Sequence, residues 1–113
     1  MIIRVWRTSI DSARMSEYER FAQEQSLPMF RSQPGFVGVL FAGGQQERAV
    51  LSMWRDLASV EALAHSATYQ QTVEQLNATA LLVGETSVEV FEARGGFLDV
   101  EALAELVKGV TTR

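Results

Sequence analysis

Two alternating rhythms of apolar and polar positions run along this chain. Residues 2–8 (Ile2-Ile-Arg-Val-Trp-Arg-Thr) are rich in β-branched and aromatic types, which predicts a strand. Asp11 or Ser12 is placed to cap a helix, and Met15, Tyr18, Ala22 and Met29 then fall near one stripe, with Phe21 beside it. Pro28 is tolerated only near a helix start, so a helix followed by a separate short turn is expected, closed by Pro34-Gly35. Further strands are predicted at Phe36 to Phe41, Ala49 to Trp54 and about Ser87 to Phe91. Between the second and third, Ala42-Gly-Gly-Gln-Gln-Glu reads as a hairpin loop, its paired glycines supplying positive φ angles. Ser59 opens a second helical stretch. The order β-α-β-β-α-β is the ferredoxin-like α+β pattern with a four-stranded antiparallel sheet.

After the fourth strand Arg94-Gly-Gly breaks the chain, Asp99 is placed to cap, and Val100, Leu103, Val107 and Val110 make an amphipathic helix. The expected organisation is one domain over residues 1–95 and a C-terminal helical extension over 96–113. The strand faces predict an oligomer. Val37, Val39 and Phe41 share one face of strand two, and Phe36 and Leu40 the other. Strand three sets Ala49, Leu51 and Met53 against Val50 and Trp54, and strand one sets Ile3 and Val5 against Ile2 and Trp6. A sheet apolar on both sides and covered on one would leave a large wet patch, which monomers rarely tolerate. A face-to-face homodimer is therefore expected; the other way to cover the face is the C-terminal helix.

Composition narrows the function. A net charge of −4 without any Lys/Arg run leaves no basic face for nucleic acid; the single lysine is Lys108, and arginines are scattered from Arg4 to Arg113. The absence of cysteine removes disulfides, thiolate nucleophiles, iron–sulfur ligation and Cys-type zinc sites. With one histidine and no clustered acids, no metal site is expected. There is no phosphate loop, no G-x-G-x-x-G after the first strand, no nucleophile elbow and no H-E-x-x-H. No segment approaches membrane-spanning length, and the N-terminus has no signal-like apolar run, so a cytoplasmic location is expected.

The informative stretch runs from Ser52 to Tyr69. Its helical phase, Val60, Leu63, Ala64 and Ala67, should next reach position 71, which is glutamine, and it resumes instead at Tyr69, Val73, Leu76 and Ala80. Such a slip predicts a break, with Ser66 or Thr68 capping the new segment and His65 at the break. A strand ending in Trp54-Arg55-Asp56, a helix reading Ser59-Val-Glu-Ala-Leu-Ala-His65-Ser66, then Tyr69 and a closing Ser87-Val-Glu-Val-Phe91-Glu strand resemble the antibiotic biosynthesis monooxygenase (ABM) domain family. The resemblance spans residues 2 to about 93. It implies sheets packed into a dimeric α+β barrel and a pocket between sheet and helices. Characterised members include cofactor-free monooxygenases that oxidise phenols, quinols or polyketide aromatics with O₂.

The resemblance implies a cofactor-independent monooxygenase acting on a small aromatic, phenol or quinol, with no cofactor and no metal. A phenol reduces O₂ only once deprotonated, so a base is needed, and the intrinsic pKa of a histidine suits His65 to that role. Tyr69 is the candidate partner of the phenolate, and Trp6, Trp54 and Phe91 are candidate walls for substrate. Each has a plainer reading: His65 as a helix-end hydrogen-bonder and Trp54 as core; Arg4 is read as a partner for an acidic substrate or, more plainly, for Glu89 across strands. The haem-degrading branch needs an Asn on strand one and a Trp and His further on. Strand one has no Asn, and the other two places fall near Leu63 and Val73. A different class, a non-catalytic small-molecule binding or sensing dimer, rests on the same scaffold, as does a purely structural dimer.

Overall fold

The structure, a computed structural model, describes residues 1–107. Lys108, Val110 and Arg113 lie outside the described residues. Four strands, β1 (Ile2–Ser9), β2 (Phe36–Gly43), β3 (Glu47–Trp54) and β4 (Ser87–Glu92), form one antiparallel sheet in the order β2-β3-β1-β4. Helices α1 (Met15–Phe21) and α2 (Leu27–Arg31) connect β1 to β2, and α3 (Leu57–Ala64) and α4 (Ala67–Ala78) connect β3 to β4. The short helix α5 (Val100–Leu106) follows, with Asp99 Oδ1 accepting from Ala102 N at 3.0 Å as its cap. This is the ferredoxin-like α+β architecture that the element order predicts.

The first connection differs from expectation in its middle. In place of a helix and a detached turn, helical geometry continues from α1 through a π segment (Ala22–Ser26) into α2. Leu27 N reaches back five residues to Ala22 O, and Pro28 then stands in the first turn of α2. A proline lacks the N–H that an α-helix would use there, and the wider π turn takes it up without ending the helix. The stripe works as intended: Tyr18, Ala22, Met29 and Phe30 are all buried.

The hairpin between β2 and β3 is also tighter than predicted. Gly43 and Gly44 are not among the positive-φ residues. Gly43 is needed for space, since a Cβ there would lie 2.4 Å from Glu47 O. Positive φ is used instead at Gly35 (79°), where a Cβ would stand 1.9 Å from Ser59 Oγ. The second helix begins earlier than Ser59: Asp56 is its cap, with Oδ1 accepting from both Ser59 N (2.9 Å) and Ser59 Oγ (2.7 Å). The predicted break is present, with α3 closing at His65 and Ser66 Oγ accepting from Tyr69 N at 3.3 Å to open α4.

On the helix side of the sheet, Ile2, Val50 and Trp54 pack with Met29, Phe30 and Leu63. Phe30 and Phe36 stack at 6.2 Å, and both meet Trp54 edge-on. The side assignments for β1 and β3 hold, and those of Phe36 and Val37 in β2 do not, Val37 being exposed. A bulge between Phe36 and Gly38 resets the alternation, so Phe36 joins Val39 and Phe41 against the core. The opposite face, which includes Ile3, Leu40, Leu51, Met53 and Phe91, has no layer over it among the described residues. Phe91 is 49% exposed, and α5 is not laid across the sheet, since Phe97, Leu98 and Leu106 are themselves exposed. A second cluster of Ile10, Tyr18, Leu76 and Leu81 closes the far end, where the α4–β4 connection pairs with the end of β1 through Ile10 and Leu82.

Candidate functional site

Between the helix side of the sheet and α1, α2 and α4 lies a cavity of about 320 Å³. Strand alternation sends Arg4 and Trp6 of β1, Val50 of β3 and Val88 of β4 into it, because even positions of β1 share a face with Val88 and Val90 in the β1–β4 register. The helical layer contributes Met29 and Phe30 from α2, and Tyr69, Thr72, Val73 and Leu76 at helical spacing from α4. The lining is thus mostly apolar and aromatic. Tyr18 adds a hydroxyl, but burial, with help from the Glu19 charge, pushes its phenol up to about 12, so it stays neutral across the physiological range.

The polar centre of the cavity is a pair. Arg4 is buried, and its Nη2 donates to the Tyr69 hydroxyl at 2.9 Å, with the guanidinium carbon 5.5 Å from the Tyr69 ring centroid. The cross-strand pairing expected between Arg4 and Glu89 does not form. Arg7 takes Glu89 instead, because both lie on the open face while Arg4 points toward the helices. The ion pairs among the described residues are Arg7–Glu89, Arg14–Glu17 and Arg48–Glu19. Arg4 is in none of them.

Tyr69 is held in place from behind. Gln33, in the turn after α2, donates through Nε2 to Ser66 Oγ (3.1 Å) and Thr68 Oγ1 (3.0 Å), and those two hydroxyls lie 2.9 Å apart. The buried amide therefore ties the first α4 turn, and with it Tyr69, to the α2–β2 connection.

The structure brings together two of the five residues singled out in the sequence, Trp6 and Tyr69, both in the cavity lining. Trp54 is fully buried beneath it, with Nε1 donating to Ser52 Oγ at 2.8 Å and its rings spent on Phe30 and Phe36. Phe91 pairs with Ile3 on the open face, opposite to Val88, so the pleat removes it from the cavity wall. His65 is exposed at the α3 C-terminus and is not among the lining residues, because the helix ends before its face turns inward. Arg4 faces the cavity and not Glu89, and Gln33, which the sequence did not single out, supports Tyr69 from outside the lining. Register alone could have found Arg4, since an arginine at an even position of β1 shares the face of Ile2 and Trp6. Among the described residues no three His, Asp or Glu side chains cluster as a metal would need, and no helix is long and apolar enough to cross a membrane.

No protein-family model and no curated protein matches the chain. Solved structures do match in fold. A candidate antibiotic biosynthesis monooxygenase from Deinococcus radiodurans superposes with a TM-score of 0.71 at 12% identity, covering 87% of this chain and 97% of that one. SnoaB, a cofactor-independent oxygenase from Streptomyces nogalater, gives 0.63 at 20% identity, covering 84% and 94%. A Nitrosomonas europaea protein of unknown function gives 0.70 at 17%, covering 86% and 92%. The chain therefore has the ferredoxin-like α+β fold of the structures named as ABM proteins, in agreement with the resemblance read from its sequence. At these identities the likeness is one of fold, and function rests on the cavity.

Proposed function

We propose that this chain is a cofactor-independent monooxygenase that oxidises a small aromatic, phenol or quinol, with O₂ in the sheet–helix cavity, and that it works as a homodimer joined through its open sheet faces. The observation that carries the reading is a buried cation, Arg4, bonded to the Tyr69 hydroxyl in a cavity lined mostly by apolar and aromatic side chains. An aromatic ring fits against Trp6, Met29 and Val88, and its hydroxyl reaches the Arg4–Tyr69 pair. In a low-dielectric pocket a fixed positive charge favours the phenolate over the phenol, which is the form able to give electrons to O₂.

For a quinol the balance is simple. The proton leaves to water, and a ring carbon beside the phenolate bonds to O₂, giving a hydroperoxide once the outer oxygen is protonated. Loss of that carbon's hydrogen with cleavage of the O–O bond releases water and leaves a carbonyl. One oxygen atom enters the product, the other becomes water, and the substrate supplies all four electrons. Arg4 and Tyr69 are the proposed catalytic residues, acting on the developing oxyanion, and Trp6 is a substrate wall.

The second reading, a binding or sensing domain, is favoured by one observation: no histidine, aspartate or glutamate lines the cavity. A ligand that does not ionise under Arg4 alone would be held and not turned over. Oxygen uptake with a panel of quinols under ¹⁸O₂ separates the two. Stoichiometric uptake with one labelled atom per product supports the oxygenase. Saturable binding by calorimetry with no uptake above the protein-free rate would refute it in favour of the binder.

A further inference from the structure

We infer that the Arg4–Tyr69 pair is a carboxylate clamp, and that the aromatic this cavity takes carries a carboxylate on the edge facing it. The inference rests on the cavity being the ligand site proposed above, and not on oxidation taking place there. Arg4 is only 8% exposed, and among the described residues no carboxylate is paired with it. Among the described residues its side chain makes one hydrogen bond, Nη2 to the Tyr69 hydroxyl. A guanidinium has five donors in a planar fork, so most remain unspent, and a buried charge without an opposite charge is an unfavourable arrangement that an incoming anion relieves.

The direction of that one bond matters. Tyr69 accepts from Arg4, so its own O–H hydrogen remains to be donated. The phenolic hydrogen and the unspent N–H groups therefore converge from neighbouring atoms. Two donors side by side with a positive charge match the two oxygens of a carboxylate, the usual partner of an arginine fork. A phenol presents one oxygen and is mostly neutral at pH 7, whereas a carboxylate is charged throughout the neutral range. Against the apolar lining, these donors select an aromatic acid over its neutral analogue. In a hydroxy-aromatic acid with the two groups adjacent, the phenolic oxygen lies beside the carboxylate, within the same positive field.

The test is calorimetric binding of 2,5-dihydroxybenzoate, 2,5-dihydroxybenzamide and hydroquinone to the full chain, anaerobically, with oxygen uptake followed separately on the same three. The clamp predicts that the acid binds at least about 10-fold tighter than the amide, with hydroquinone no better than the amide. Arg4→Gln should abolish the preference, so that acid and amide bind within about 3-fold of each other. Tyr69→Phe, which keeps the charge and removes one donor, should reduce the preference severalfold and provides a second reading if Arg4→Gln does not fold. Equal binding of acid and amide, or a preference that survives both substitutions, overturns the clamp. Tight, Arg4-dependent acid binding without oxygen uptake would sustain the clamp and sink the oxygenase; equal turnover of all three without preference would do the reverse.

Discussion

Replacing Gln33 by Leu tests how Tyr69 is held. Gln33 is 9% exposed and spends both amide hydrogens on Ser66 Oγ and Thr68 Oγ1. Neutral hydrogen bonds of this kind contribute about 0.5–1.5 kcal/mol each. Burying a leucine of similar size returns part of that, and the Ser66 and Thr68 hydroxyls keep each other as partners at 2.9 Å. The net loss should be about 1–2 kcal/mol, or roughly 4–8 °C in melting temperature for a domain of this size. Ser66→Ala removes the α4 cap and should cost about 1 kcal/mol by itself. Because the two residues share a bond, the double variant should lose about 0.5–1 kcal/mol less than the sum of the singles. Urea unfolding of all four proteins gives the cycle. Gln33→Leu should also weaken aromatic-acid binding, because the first turn of α4 is then freer to carry Tyr69 away from Arg4. A strictly additive cycle, or unchanged binding in a destabilised Gln33→Leu, would show that the amide does not position Tyr69.

Other substitutions probe separate links. Ala80 ends α4 with φ at 57°, a conformation costly for an L side chain, so Ala80→Gly should stabilise the protein by about 0.5–1 kcal/mol in urea melts. The Tyr18 phenol is raised to about 12 by burial, whereas a free tyrosine ionises near pH ~10. The unfolded chain therefore loses that proton first: the contribution to stability is intact below about pH 10 and declines as pH rises toward 12. Tyr18→Phe should flatten that decline in unfolding midpoints measured from pH 9 to 12, and an unaltered profile would count against the burial argument. Light scattering at micromolar concentration should return about twice the 12.5 kDa chain mass, and Phe91→Glu on the open face should shift it toward the monomer. His65→Ala should leave oxygen uptake within about twofold, since the side chain is exposed and outside the cavity lining; a loss of about 10²-fold, the usual share of general-base catalysis, would restore it as a base.

Which parts of this molecule were legible in its sequence follows from the range of the forces involved. The succession of strands and helices along the chain, the α3–α4 break and the buried stripe Tyr18, Ala22 and Met29 all follow from periodicity, which is local and needs no knowledge of neighbours. The π segment and the β2 bulge were not legible, because each is a one-residue register change that only packing decides. The site was read in part. Trp6 and Tyr69 face the cavity because their helical or strand phase sends them there. Trp54, two residues from buried Ser52 on the same face, goes to the core since Phe30 and Phe36 already occupy the space around it. His65 drew attention as the one histidine, a matter of chemical type, while its position at a helix end decided its exposure. Arg4 was assigned to Glu89 by sequence proximity across strands, yet the pleat gives that acid to Arg7.

The interruption at His65–Ser66 has a consequence for how this scaffold can change. One unbroken rod from residue 57 to 78 would need a single face to satisfy both Leu63 in the core and Tyr69, Val73 and Leu76 around the ligand space. Split in two, each half takes its own azimuth. Variation at 72 and 73 can then retune the ligand chamber, while Tyr69 and Leu76 stay with the two core clusters they pack against. A library confined to those two half-buried positions should yield mostly folded proteins with divergent small-molecule preferences.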